Sequence, residues 1–171
     1  MRIYLIGYMA SGKSNIGRHL AEKLCYEFID LDYLFEERFK ISILDFFEKY
    51  DEQVFRKIEH TLLHETMKMD NVVISTGGGT PCFFNNMELI RQAGISIYLC
   101  WTIPALVSRL KKVKRKRPLL KDVPATELEG RVTIQLTQRE FYYNQADLIV
   151  KGEEFNMESL HSILRHRLSP D

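Results

Sequence analysis

A segment near the start of the chain has the composition and spacing of a phosphate-binding loop. Residues 7–14 read Gly-Tyr-Met-Ala-Ser-Gly-Lys-Ser, the pattern G-x-x-x-x-G-K-S, and they follow directly on the apolar run at 3–6. Backbone N–H groups in such a loop converge on an anion, Lys13 reaches the β- and γ-phosphates, and the Ser14 hydroxyl ligates Mg²⁺. A chance match in an ordinary strand-turn-helix is the alternative, and the preceding apolar run argues against it. The segment predicts a nucleoside triphosphate as ligand and leaves the phosphate acceptor open.

Two acidic residues close the next apolar run. Asp30 and Asp32 stand at i and i+2, and such residues share one face while the chain remains extended. Beside a triphosphate, one carboxylate could hold Mg²⁺ through water, and the other could orient or deprotonate an accepting hydroxyl. An Asp that caps the following helix is the alternative. The pair by itself leaves both interpretations open.

An Arg and a Glu are spaced as neighbours on one helix in Phe55-Arg56-x-x-Glu59. They form either a surface ion pair, worth less than about 1 kcal/mol, or a functional pair. In the second case Arg56 is aimed at a substrate carboxylate and Glu59 holds the guanidinium in place. These residues alone do not decide between the two.

Three consecutive glycines, Gly77, Gly78 and Gly79, follow the next predicted strand. Each costs up to about 1 kcal/mol in chain entropy relative to Ala, and a turn needs only one or two. Three indicate that backbone N–H groups approach a ligand, or that a neighbouring loop leaves no room for side chains. We favour contact with a ligand.

A basic segment lies in the second half of the chain. Residues 111–117 include six cations, and Pro118 then interrupts any helix. The segment is a solvated basic face, a nucleic-acid patch, or a mobile lid from which one Arg neutralises charge between the β- and γ-phosphates of ATP. Nucleic acid is disfavoured because no aromatic residues are interleaved with the short cluster. Arg139, in the helical pattern at 125–144, is by itself an ordinary surface residue.

Apolar periodicity indicates the elements that position these residues. Short apolar runs alternate with helical patterns, which predicts a parallel sheet between helices. The runs lie at 3–6, 28–29, 72–74, 95–100 and 148–150. Ligands gather beyond the carboxyl ends of such strands, so the loop, the acids and the glycines fall on one rim. The segment at about 33–61 is predicted as a helical insertion over the site, with Ser42 as a helix N-cap.

Size and composition limit the class of protein. A length of 171 residues favours a single domain over 1–171. With 45% hydrophobic residues, 27% charged residues and a net charge of +1, nothing favours nucleic acid or a membrane as partner. Three cysteines without C-x-x-C spacing disfavour zinc and disulfides. Without a signal-peptide pattern or a long apolar run, a cytoplasmic location is expected.

Taken together, these segments resemble the shikimate kinase family, from about residue 3 to residue 150. That family has a phosphate-binding loop, Asp-x-Asp, Phe-Arg-x-x-Glu, Gly-Gly-Gly, Arg-Pro-Leu-Leu and a helical Arg. The same motifs occur here in that order, at 7–14, 30–32, 55–59, 77–79, 117–120 and 139. The resemblance implies an α/β, three-layer P-loop kinase fold with a five-stranded parallel sheet of order 2-3-1-4-5 and a mobile lid at about 111–124. It also implies transfer of the ATP γ-phosphate to the 3-hydroxyl of shikimate, towards chorismate and the aromatic amino acids.

The resemblance further implies roles for individual residues. The catalytic residues would be Lys13, Asp32 and Arg117. The nucleotide would be held by Gly7, Ala10, Ser11, Gly12, Lys13, Ser14, Asn15, Arg109 and Arg117. Shikimate would be held by Asp32, Arg56, Gly77, Gly78, Gly79 and Arg139, with the two arginines on its carboxylate. One Mg²⁺ would be bound by Ser14 directly and by Asp30 through water. ATP and shikimate are the expected partners of a monomeric chain.

Two other classes of protein stay open. Another small P-loop kinase, for gluconate or a nucleoside monophosphate, also needs cations for an anionic acceptor. A nucleotide-dependent switch is disfavoured because no Asn-Lys-x-Asp motif is present.

Three residues depart from the family pattern, since relatives usually carry Gly where Ala10, Lys40 and Asp51 stand. Ala10 is tolerable if its φ is negative and costly if it is positive.

Overall fold

Five parallel strands form the centre of the structure, a computed structural model that describes residues 1–112, 120 and 123–168. The strands are β1 (Arg2–Ile6), β2 (Glu27–Asp30), β3 (Val72–Ser75), β4 (Ile95–Cys100) and β5 (Leu148–Lys151). Their order is β2-β3-β1-β4-β5, with Ile3 aligned to Val73 on one side and to Ile95 on the other. The predicted sheet order is therefore confirmed. β1 is central and its residues Ile3 to Ile6 are fully buried.

Helices cover both faces of the sheet, as predicted. Ile3 and Leu5 pack into a core with α1 (Lys13–Leu24) and α8 (Met157–Leu168). Tyr4 and Ile6 pack on the opposite face, because side chains alternate along a strand. That face is covered by α4 (Glu52–Thr66), α5 (Asn86–Ala93), α6 (Ile103–Lys112) and α7 (Leu128–Tyr143). Across the described ranges, no helix combines the length and the apolar character needed to cross a bilayer.

Three consecutive helices occupy the segment predicted as a helical insertion. They are α2 (Leu31–Phe39), α3 (Ile43–Lys49) and α4. The rings of Phe35, Phe46 and Phe55, one from each helix, join them, and the Phe35 ring centroid lies 5.1 Å from each of the other two. Ser42 is the N-cap of α3, as predicted, since its Oγ accepts a hydrogen bond of 3.0 Å from Asp45 N–H. Asp51 caps α4 in the same way through Val54 N–H.

Ala10 and Lys40, which with Asp51 are the three departures from the family pattern, have a left-handed backbone. Ala10 has φ 62° and Lys40 has φ 53°. For a residue with a Cβ, this conformation costs about 1 kcal/mol relative to Gly. Lys40 is exposed and ends α2, donating its N–H to the Glu36 carbonyl at 3.0 Å. The chain therefore carries local backbone strain in the phosphate-binding loop and at the end of α2.

Replacing Lys40 by Gly should stabilise the protein. The Lys40→Gly variant removes the Cβ from a left-handed helix end, so the free energy of unfolding should rise by about 0.5–1 kcal/mol, or roughly 1–4 °C in Tm. Thermal and urea unfolding measure the change. Lys40→Ala keeps the Cβ and serves as the matched control, which should stay near the parent. A Lys40→Gly variant that is less stable than Lys40→Ala would contradict this account.

Candidate active site

The phosphate-binding loop encloses the ammonium group of Lys13 at the carboxyl end of β1. Lys13 Nζ donates hydrogen bonds to the carbonyls of Gly7 at 2.8 Å and Tyr8 at 2.9 Å. α1 begins at Lys13, so the positive end of its dipole points to the same place. A cavity of about 370 Å³ opens beside the loop. The loop thus presents a buried cation and a helix N-terminus to one cavity, which is an anion-binding arrangement.

Asp30 joins the phosphate-binding loop to the start of α2. Its Oδ2 accepts a hydrogen bond from the Ser14 hydroxyl. Its Oδ1 accepts from Asp32 N–H at 3.0 Å and Tyr33 N–H at 3.3 Å, which makes Asp30 the N-cap of α2. Of the two interpretations that the sequence left open, the structure shows the helix cap. α2 begins at Leu31, because capping by Asp30 satisfies two N–H groups that a helix start leaves unpaired.

Asp32 lies in the first turn of α2, where two cavities meet. The second cavity is smaller, about 70 Å³, and Arg56, Glu59 and Arg139 are among the residues that line it. Asp32 also lines the larger cavity beside the phosphate-binding loop, as do Met9 and Gly78. Its carboxylate therefore stands between the anion-binding loop and a compartment that holds two guanidinium groups.

Arg56 is a buried side chain held by two carboxylates, one buried and one partly exposed. Its Nη1 donates to Glu59 Oε2 at 2.7 Å, and its Nη2 donates to Glu52 Oε1 at 2.8 Å. The Arg56 side chain is 6% exposed and lies over the Phe83 ring, so this is not a surface ion pair. Burial alone would lower the pKa of Arg56, but Glu59 and Glu52 raise it above its usual value and keep the guanidinium charged. Sequence reasoning missed Glu52, although its i, i+4 spacing to Arg56 was a usable signal.

Glu59 is buried and has a second partner that sequence reasoning missed. The Thr80 hydroxyl donates to Glu59 Oε1 at 2.5 Å, and the Thr80 carbonyl accepts from Asn86 Nδ2 at 2.8 Å. Thr80 and Asn86 are fully buried. Burial raises the pKa of Glu59, and the positive charge of Arg56 and the Thr80 hydroxyl oppose that shift. No local pattern marks Thr80 as a partner of Glu59, because the two are 21 residues apart in the sequence.

The three glycines lie directly against these charged side chains. A Cβ on Gly79 would lie 2.6 Å from Arg56 Nη2, and one on Gly77 would lie 2.5 Å from Glu59 Oε1. A Cβ on Gly78 would lie 3.5 Å from Arg139 Nη1. Crowding by neighbouring groups therefore accounts for the missing side chains at Gly77 and Gly79. The expectation that this loop contacts a ligand stays a prediction, and all three glycines line the smaller cavity.

Arg139 reaches the smaller cavity from α7 and is not an ordinary surface residue. Its Nη1 is fully buried, and among the residues that the structure describes it has no hydrogen-bond partner. The guanidinium lies 5.5 Å from the centroid of the Tyr8 ring, and the Tyr8 hydroxyl donates to Gln135 Oε1 at 2.6 Å. Burial raises the pKa of Tyr8 to about 12, against the opposing effect of Arg139. A buried cationic nitrogen of this kind favours an anion as ligand of the cavity.

The other predicted nucleotide-binding residues divide into two groups. Those that line the larger cavity with Lys13 and Ser14 are Ala10, Gly12, Asn15 and Arg109. Gly7 and Ser11 are buried and are not among the residues that line it. Arg117 and most of the segment predicted as a lid lie outside the described residues.

The fold and the two adjoining cavities define a P-loop kinase. A deoxyadenosine kinase from M. mycoides with bound dATP has the same fold, at a TM-score of 0.56 and 19% identity over 98% of this chain and 99% of that one. A sequence profile described as "Shikimate kinase" matches residues 9–167. The chain belongs to the shikimate kinase family, whose members are ATP-dependent kinases with an alcohol group as acceptor.

Individual relatives agree with this assignment along nearly the whole chain. The shikimate kinase of Azobacteroides pseudotrichonymphae is 46% identical over 160 residues, which cover 93% of this chain and 94% of the relative. A crystal structure of shikimate kinase from Bacteroides thetaiotaomicron has a TM-score of 0.89 at 38% identity and covers 98% of both chains. The Acinetobacter baumannii enzyme in complex with shikimate has a TM-score of 0.87 at 31% identity, over 98% of this chain and 92% of that one.

Replacing Thr80 by Val should destabilise the protein. Val has nearly the shape of Thr but no hydroxyl, so Glu59 Oε1 would be left buried without that donor, at a cost of about 1–3 kcal/mol. Urea unfolding measures the change. Thr80→Ser is the matched control, because it keeps the hydroxyl and loses one methyl group, worth about 0.8 kcal/mol. If the Val variant is at least as stable as the Ser variant, the hydroxyl does not support Glu59.

Proposed function

We propose that this chain phosphorylates the 3-hydroxyl of shikimate with ATP, with the nucleotide in the larger cavity and shikimate in the smaller one. One observation carries the two-cavity assignment. The buried Nη1 of Arg139, which has no partner among the described residues, and the charged Arg56 line the same small cavity as Asp32. A ligand with a carboxylate at one end and hydroxyl groups at the other would pair its carboxylate with Arg56 and Arg139 and its hydroxyl groups with Asp32. Shikimate has this chemistry.

The proposed reaction needs positioning and charge neutralisation more than covalent chemistry. The 3-hydroxyl oxygen bonds to the γ-phosphorus, the bond from that phosphorus to the β–γ bridging oxygen breaks, and ADP leaves. Asp32 accepts the hydroxyl proton or orients the hydroxyl for attack. Lys13 and Arg117 offset the negative charge that moves towards the bridging oxygen. Arg56 and Arg139 hold the carboxylate, and Gly77, Gly78 and Gly79 form the wall beside it.

Ser14 and Asp30 are the residues that we propose for Mg²⁺. Their hydroxyl and carboxylate oxygens are the hard donors that this ion prefers, and both line the larger cavity beside Lys13. Bound there, Mg²⁺ would neutralise charge on the β- and γ-phosphates. The contact between Ser14 and Asp30 keeps the two oxygens together. Because Asp30 also caps α2, its carboxylate has little freedom to turn away.

The remaining expectations concern the chain as a whole. We expect residues 1–171 to act as one domain and as a monomer in the cytoplasm, with ATP and shikimate as partners and neither nucleic acid nor a membrane involved. A net charge of +1 supports the last point. We also propose that the segment at about 111–124 acts as a lid that carries Arg117, as in the family that the sequence resembles.

A coupled assay of ADP release tests the proposed acceptor. Shikimate should accelerate ADP release from ATP and Mg²⁺ far more than gluconate or a nucleoside monophosphate does. Greater stimulation by gluconate or a nucleotide would assign the smaller cavity to another acceptor. ATP turnover without stimulation by any acceptor would favour a nucleotide-dependent switch.

Two variants should separate binding from chemistry. Arg139→Ala should raise the KM for shikimate by about tenfold or more, since a hydrogen bond to a charged group is worth about 1.5–3 kcal/mol, with little change for ATP. Asp32→Asn should lower kcat by about 10²-fold or more and leave ADP affinity near the parent. Steady-state kinetics and calorimetry measure these values, and each variant is the control for the other. An unchanged KM for shikimate in Arg139→Ala, or parallel losses of kcat and ADP affinity in Asp32→Asn, would contradict these roles.

A further inference from the structure

We propose that Trp101 is a positioning residue for the nucleotide. Its indole ring holds Arg109 and the phosphate-binding loop in place, so that Arg109 presents a flat cationic face to the purine of ATP. The inference rests on the proposed nucleotide site in the larger cavity. Trp101 itself is not among the residues that line that cavity, whereas Arg109 is. The indole therefore acts through its neighbours.

Trp101 and Arg109 bind adjacent carbonyls of the phosphate-binding loop. Trp101 Nε1 donates to the Ser11 carbonyl at 2.8 Å, across 90 residues of sequence. Arg109 Nη1 donates to the Ala10 carbonyl at 3.4 Å. These carbonyls belong to the turn in which Ala10 has φ 62°, a conformation that a residue with a Cβ rarely adopts. A strained turn persists only where its surroundings hold it, and these two donors do so.

The indole ring also fixes the direction of the Arg109 side chain. Arg109 Cζ lies 3.8 Å from the centroid of the Trp101 ring, within the range of a close cation–π contact. A free Arg side chain samples many rotamers, and ordering it on binding costs free energy. Stacking on Trp101 restricts those rotamers before any ligand arrives. A guanidinium with one face on an indole offers its other face to a second flat π-system.

The larger cavity leads from the loop to this guanidinium. Phosphates belong at the end near Lys13 and Ser14, so the rest of a nucleotide extends past Gly12 towards Arg109, which also lines the cavity. The loop and Arg109 are close, since a Cβ on Gly12 would lie 3.5 Å from Arg109 Nη1. A purine is the flat part of ATP. The Arg109 guanidinium, which lines the cavity, offers a flat cationic face on which the purine can stack.

The backbone beyond β5 leaves room for the indole. A Cβ on Gly152 would lie 2.0 Å from Trp101 Cε2, closer than any real contact, so this position excludes a side chain. Next to it, Glu153 Oε1 accepts hydrogen bonds from the Thr102 N–H at 3.2 Å and the Thr102 hydroxyl at 2.7 Å. These bonds join the segment after β4 to the segment after β5. The indole is thus held by the fold and not by the ligand.

Ligand binding to the full chain and to two variants tests this inference. Trp101→Leu removes both the stack and the N–H donor, so the Kd for ADP with Mg²⁺ should rise by about tenfold. Trp101→Phe keeps an aromatic face and loses the donor, so its Kd should rise by about threefold. The Kd for shikimate, measured by calorimetry without nucleotide, should change by less than about twofold in both variants. A merely structural Trp101 would weaken both ligands or neither, and that result would overturn the inference.

The parent protein provides a direct readout because Trp101 is its single tryptophan. ADP should shift the emission of Trp101, and shikimate alone should not. If Trp101→Leu fails to fold, this titration and the Trp101→Phe variant still decide the question. An emission that does not respond to ADP, in a protein that calorimetry shows to bind ADP, would overturn the inference.

A double-mutant cycle with Arg109→Ala tests whether Trp101 acts through Arg109. The losses of ADP affinity in Trp101→Leu and Arg109→Ala should be less than additive in the double variant. Fully additive losses would overturn the positioning role. A parent that phosphorylates shikimate alongside a Trp101→Leu variant with unchanged ADP affinity overturns this inference and leaves the proposed function intact. A parent that binds no ADP overturns both.

Discussion

The buried ion pair between Arg56 and Glu59 is the interaction on which the smaller cavity depends. Removing one partner of such a pair leaves an uncompensated charge inside the protein and costs about 3–5 kcal/mol. The surrounding structure satisfies the remaining hydrogen-bonding groups. Glu52 takes the far side of the guanidinium, and Thr80 donates to the free oxygen of Glu59. The glycine loop closes over the pair because no side chain fits between them.

A second constraint links the two cavities. Asp30 caps α2 and contacts Ser14 in the phosphate-binding loop, so the start of α2 is held relative to that loop. Asp32 stands two residues further on and lines both cavities. The capping carboxylate of Asp30 thereby sets the position of the Asp32 carboxylate. The start of α2 places the Asp32 side chain beside the anion-binding loop.

Departures from the family pattern have been accommodated by the fold in two ways. Asp51 stabilises the start of α4, because its side chain caps that helix. Ala10 and Lys40 keep a left-handed backbone at the expense of local strain. In the phosphate-binding loop, donors from Trp101 and Arg109 hold the carbonyls of the strained turn. Lys40 lies at an exposed helix end, where strain lowers stability without disturbing the site.

Sequence by itself determined the features that neighbouring residues carry. The phosphate-binding loop, the cap at Ser42 and the alternation of strands and helices are local patterns, and the resemblance to a family supplied the sheet order. Local reasoning left two interpretations open at Asp30 and Asp32, because an extended pair and a helix cap have the same residues at the same spacing. The start of α2 decided that Asp30 is the cap.

Only the tertiary structure decided which side chains are buried together. Thr80 meets Glu59 across 21 residues, and Trp101 meets Ser11 across 90. Contacts of this kind produce no periodic pattern in the sequence, since each depends on how strands and helices pack rather than on neighbouring residues. The same is true of Arg139, whose sequence context is that of a surface helix and whose guanidinium reaches the smaller cavity. Burial and long-range pairing turned isolated motifs into one site.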